Sequence, residues 1–136
     1  MDKHILVLFD GWSMADEALR YAHALAERLH ARLHLLLLLP SQDPDGTAAL
    51  FARGHDALRT LADPIDDHTV DVDRQVRIGD PWSEFCKFVA TSARFDMVVW
   101  ASETGLSNGR PSPSHWASRI QAEVGCPVVT AQRRLR

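Results

Sequence analysis

The sequence predicts an α/β fold, a doubly wound sheet of five parallel strands with four helices. Two observations carry the prediction. Short continuous apolar runs, the signature of strands buried on both faces, alternate with segments whose apolar residues recur every three or four positions. The runs are also separated by helix-length stretches, and right-handed crossovers through such helices lay consecutive strands parallel in one sheet.

The elements follow in chain order. His4 to Phe9 is an apolar run closed by Asp10-Gly11, the first central strand. Ser13 and Asp16 have capping-box spacing, and Ala18, Ala22, Leu25, Ala26 and Leu29 predict a helix from about Met14 to His30. Leu33 to Leu39 is the most apolar stretch, a second buried strand, too short before Pro40 to cross a bilayer. After the loop from Ser41 to Thr47, Ala49, Leu50, Ala57, Leu58 and Leu61 mark a helix over Ala48 to Leu61, which Pro64 helps to end. Val70, Val72 and Val76 stand at even spacing among charged residues, the pattern of an edge strand with one wet face.

Asp80-Pro81 is an N-cap followed by proline at the first helical position, with Trp82, Phe85, Cys86 and Val89 on the buried face to about Ala93. Met97 to Trp100 is the fourth strand. The polar loop beyond it is the expected place for function, because ligand crevices of open parallel sheets lie past the carboxyl ends of the strands. Ser112-Pro113 repeats the cap-plus-proline pattern, Trp116, Ile120 and Val124 recur at every fourth position, and Gly125 closes that helix. Pro127 to Ala131 is the last strand.

At 136 residues the chain has the size of one domain, residues 1-136, with a core sufficient without disulfide or metal. Cys86 and Cys126 read as core thiols in a reducing compartment, and the cytoplasm is the default location. A net charge of -3 gives no footprint for nucleic acid or an anionic membrane, and the Arg133, Arg134, Arg136 tail reads as a solvated end. No metal site is expected among the seven histidines. His30 and His34 straddle a helix-to-strand boundary, and His23 and His30 lie two turns apart. No Walker A string, GxSxG elbow or GxGxxG follows any strand, and the loop serines Ser102, Ser107, Ser112 and Ser114 read as turn and cap residues. The chain is not expected to be an enzyme, with slow ATP hydrolysis left open.

Taken together, ILVLFDG at 5 to 11, the helix-face Ala18 and Ala22, VRIGDP at 76 to 81, DMVVWAS at 96 to 102 and CPVV at 126 to 129 resemble the universal stress protein family from end to end. The resemblance implies a sheet of order 3-2-1-4-5 and a homodimer that pairs the final strands, which lie at a sheet edge. It also implies, for the nucleotide-binding members, a glycine signature after the fourth strand: glycine, two residues, glycine, nine residues, glycine, then serine or threonine. Bare glycine backbone and a helix N-terminus suit phosphate.

Here that signature falls on Ala101, Thr104, Ser114 and His115, and none matches. Taking Gly105 or Gly109 as the second glycine does not restore it, and Pro111 and Pro113 remove N–H donors. Trp12 replaces the family's usual serine, and its indole has the bulk to fill part of the cleft. Asp10 matches the carboxylate near base or ribose, and Leu38 the lining of the adenine pocket.

The bland alternatives are an Asp10 that caps its own turn, a solvated Arg110 and a rim histidine at His115. The candidate cleft is therefore Asp10, Leu38, Ala101, Thr104, Arg110, Ser114 and His115. The expected role is a dimeric binding or signalling module of the stress response, with no cofactor and an unidentified protein partner or small ligand. The alternative is an ATP- or ADP-binding protein that uses a variant loop.

Overall fold

A computed structural model describes residues 2–41, 46–65, 69–103, 106–107 and 110–130. The main sheet comprises β1 (Lys3–Asp10), β2 (Ala31–Leu39), β3 (Val72–Ile78), β4 (Met97–Trp100) and β7 (Val128–Thr130), in the order β3-β2-β1-β4-β7 and parallel throughout. Counting only these five strands, the order is the expected 3-2-1-4-5. The helices are α1 (Asp16–Leu29), α2 (Thr47–Ala62), α3 (Pro81–Thr91) and α4 (Ile120–Val124).

Side chains of consecutive strand residues point to opposite faces, so β1 supplies both cores. Ile5, Val7 and Phe9 pack with Leu33, Leu35 and Leu37 of β2 beneath α1 and α2. Leu6 and Leu8 pack on the other face with Leu36, Leu38, Phe85, Phe88 and Trp100 beneath α3 and α4. Ile5 to Phe9 are fully buried, each worth roughly 1.5–3 kcal/mol relative to exposure, which is why a continuous apolar run was the correct sign of a central strand. β3 is the wet edge its spacing foretold: Asp73 and Gln75 are exposed while Val76 is buried.

Several local expectations change. The Ser13 capping box does not form. The residue flanking α1 is Ala15, without a side-chain cap, and the Ser13 hydroxyl instead accepts a 3.4 Å hydrogen bond from the Glu103 N–H, 90 residues away. α1 ends at a left-handed His30. The loop after β4 holds a two-stranded antiparallel ribbon, β5 (Leu106–Ser107) with β6 (Arg110–Pro111), beyond the five strands expected.

Ser112-Pro113 does not open the last helix. A 3-10 turn, Trp116–Arg119, leads into the short α4, and Gly125 ends it at φ 68°, where a side chain would be strained. Asp80 does cap α3, accepting from the Ser83 N–H at 3.0 Å, with Pro81 behind it. Cys126 is buried as expected, whereas Cys86 is only partly covered because it lies off the centre of the inner face of α3. Burial pushes both thiols up, with Glu123 adding at Cys86 and Asp96 at Cys126, so neither has the thiolate character of a redox sensor.

Candidate functional site

The carboxyl ends of β1 and β4 are stitched together beyond the last ladder pair. The Ala101 N–H donates to the Leu8 carbonyl at 2.9 Å, and the Ala101 carbonyl accepts from Ala15 at 2.7 Å. The Asp10 N–H donates to the Ser102 hydroxyl at 2.7 Å, and Ser102 is 2% exposed. On the other side of β1, the Gly11 N–H donates to the Leu38 carbonyl at 2.8 Å. These bonds fix the direction in which the Asp10 side chain leaves the sheet.

Opposite Asp10 stands His115, the residue before the 3-10 turn. Its Nδ1 accepts the Ala117 N–H at 3.0 Å, so the imidazole acts as the N-cap that serine or aspartate usually supplies. With Nδ1 engaged as acceptor, the neutral ring carries its proton on Nε2. That nitrogen faces Asp10 Oδ2 at 3.4 Å, both side chains being largely covered. The ring is held edge-on by Trp100, centroids 5.7 Å apart, and stacks on Trp116 at 5.7 Å. Trp116 in turn meets Trp100, Phe85 and Trp82. An aromatic layer under the loop thus sets the imidazole across the cleft from the carboxylate.

This arrangement has chemical consequences. A histidine acting as general base needs an open ring nitrogen facing a nucleophile, and here one nitrogen is spent on a backbone amide and the other faces a carboxylate. The backbone groups of Ala101, the first signature position, are both consumed within the fold, so its N–H is not directed at a ligand.

Of the candidate residues, Asp10 and His115 are brought together. Ala101 lies directly behind them and is fully buried. Leu38 is 1% exposed, its side chain in the core beneath α3 and its carbonyl in the Gly11 bond. Ser114 is exposed and pairs with the Ser112 hydroxyl at 3.2 Å. Thr104 lies outside the described residues, as does the side chain of Arg110. Trp12 is 46% exposed, and its ring lies under the Arg53 guanidinium of α2, 5.4 Å from the ring centroid.

Sequence reasoning missed two participants. In the sequence Ser102 reads as an ordinary turn serine, although a buried serine right after a central strand signals a stitch between strand ends. Arg53 had no local signal, since an exposed helix arginine looks solvated until the fold places Trp12 beneath it.

The universal stress protein family model matches residues 1–130. Among solved structures, the chain is similar to the universal stress protein UspA from Lactobacillus plantarum, at 15% identity over 97% of this chain and 100% of that one, with a TM-score of 0.68. It is similar to a universal stress protein in complex with cAMP, at 19% identity over 97% and 98% of the two chains, TM-score 0.66. It is also similar to a universal stress protein family protein from Arabidopsis thaliana with AMP bound, at 18% identity over 97% and 92%, TM-score 0.61. No curated protein matches the chain significantly. The match of the family model across nearly the whole sequence, on a sheet of the order that family's resemblance implied, places the chain in the universal stress protein family.

Proposed function

We propose that this chain is a dimeric binding or signalling module of the stress response whose cleft does not hold ATP strongly. The observation that carries the reading is the Asp10–His115 contact. An imidazole used as helix cap, backed by two tryptophans, faces a carboxylate and stands at the position that the resemblance assigns to the serine or threonine of the binders' signature. The ring at that position opposes a polyphosphate by bulk, whereas Asp10 is the carboxylate that the resemblance places near base or ribose. The same engagement of both imidazole nitrogens supports a non-catalytic role.

The dimer forms through β7, whose edge residues Val128, Val129 and Thr130 are only half-buried in the single chain. A strand at the edge of a sheet is a template on which a second copy can pair. The location is the cytoplasm, a reading consistent with described helices too short or too polar to cross a membrane. Light scattering is expected to give twice the chain mass, and a concentration-independent monomer would remove the dimer.

A second reading, an ATP- or ADP-binding protein with a variant loop, draws support from the relatives in complex with cAMP and with AMP. Calorimetric titration with ATP and ADP separates the two. The proposal expects no saturation up to about 1 mM, equivalent to less than about 4 kcal/mol of binding free energy. Micromolar affinity would overturn it in favour of the second reading. The variant His115→Ser retains a cap acceptor and removes the ring, so binding that emerges in this variant alone would identify the imidazole as what closes the site.

A further inference from the structure

At the opposite end of the sheet from the cleft, two histidines meet that neither the fold nor the proposed function requires. His4 is the second residue of β1 and His34 lies in the first half of β2, on the face covered by α3. His4 Nδ1 and His34 Nε2 are 2.9 Å apart, and the ring centroids 5.1 Å. On its other side, His34 Nδ1 faces Asp73 Oδ2 of β3 at 3.6 Å. The Phe95 ring meets His34 edge-on at 5.2 Å, and the Asp96 carboxylate accepts the backbone N–H of His4 at 2.8 Å. Arg32, two residues before His34 on β2, pairs with Asp71 at 3.5 Å. Among the described residues, no three metal-ligating side chains converge on an ion-sized position.

We infer that His4, His34 and Asp73 form an acid-sensitive clamp on the amino ends of β1, β2 and β3, in which the tie between β1 and β2 is broken when Nε2 of His34 takes up a proton. The argument is one of donors and acceptors. Asp73 accepts only, so it favours the proton of His34 on Nδ1 and leaves the Nε2 lone pair to accept from the His4 Nδ1–H. A proton that enters Nε2 of His34 leaves two N–H groups facing each other at a hydrogen-bond distance that neither can keep.

Electrostatics push the same way. Burial holds the His34 imidazole below the ordinary histidine range; Asp73 opposes this, while His4 and Arg32 add to it. For a histidine with a depressed folded value, the unfolded chain binds more protons below about pH 6.5. Stability is thus present in full above that pH and is lost as pH falls from about 6.5 toward the lower folded value.

The experiment is urea unfolding of the full chain at pH 7.5, 6.5 and 5.5, beside long-range proton–nitrogen NMR of the imidazoles in the wild type. Between pH 7.5 and 5.5 the clamp is expected to lower the folded-to-unfolded ratio by up to about tenfold in the wild type, and His34→Gln is expected to flatten that fall. The spectra are expected to show His34 protonated on Nδ1 at pH 7.5, and the His4 Nδ1 resonance is expected to change as His34 Nε2 takes up its proton. A His4 resonance that does not respond to protonation of His34, or a His34→Gln variant with the wild-type pH dependence, would overturn the inference. The NMR arm decides the matter if the variant does not fold, and neither arm depends on what the cleft binds.

Discussion

Replacing Trp100 by alanine is expected to cost about 3–5 kcal/mol, measured by urea unfolding. Trp100 ends the central strand β4, is 1% exposed, and pairs with Leu8 of β1 and Thr130 of β7. Its ring meets Trp116 at 5.2 Å, nearly perpendicular, and the edge of His115. Truncation removes the largest fully buried side chain and leaves a cavity between the sheet and the 3-10 turn, which the rigid backbone of a central strand cannot close. The aromatic contacts add about 0.5–1.5 kcal/mol beyond area. The same change unseats His115, so near-ultraviolet circular dichroism of the remaining indoles should collapse with the stability. Trp100→Phe, which keeps an aromatic surface against both partners, is expected to retain most of that signal. A loss below about 1 kcal/mol for the alanine variant would mean that this layer does not support the fold.

Replacing Gly54 by leucine is expected to cost about 2–3 kcal/mol through overpacking. Gly54 sits on the inner face of α2, where an added Cβ would meet Val76 Cγ1 at 3.0 Å and Leu39 Cδ1 at 3.1 Å. Val76 is β-branched and held in the sheet, so the strain must be relieved by lifting α2 from β2 and β3. Alanine at the same position is the informative control. It gains up to about 1 kcal/mol of helix propensity against a contact that needs a shift of only tenths of an ångström, so a net change near zero is expected. Leucine also displaces the neighbouring Arg53 from the Trp12 ring, and the fluorescence of that exposed indole reports the movement. A leucine variant as stable as the wild type would show that α2 is not seated on the sheet at this point.

The extent to which each feature was legible follows from how far apart its partners lie in the chain. The Asp80 cap, the Gly125 stop, the wet edge of β3 and the double burial of β1 are written in residues within a few positions of one another. Hydrophobic period and cap chemistry are local rules, and they suffice there. Ser13 and Ser112 carried equally good local signals and failed. Glu103, reached only through β4, claims the Ser13 hydroxyl, and His115 takes the cap that Ser112-Pro113 announced. Equal local propensity was decided by a distant partner.

By itself, then, the sequence determined the alternation of strands and helices and the parallel sheet. Only the tertiary structure set His115, its Nδ1 bound to the Ala117 amide, opposite Asp10, and only it joined His4 to His34 across 30 residues and Asp10 to Ser102 across 92. The physical reason is the crossover connection. Parallel strands that neighbour in space are separated in sequence by at least a helix, so every contact between strand ends is long-range and leaves no periodic trace in the chain.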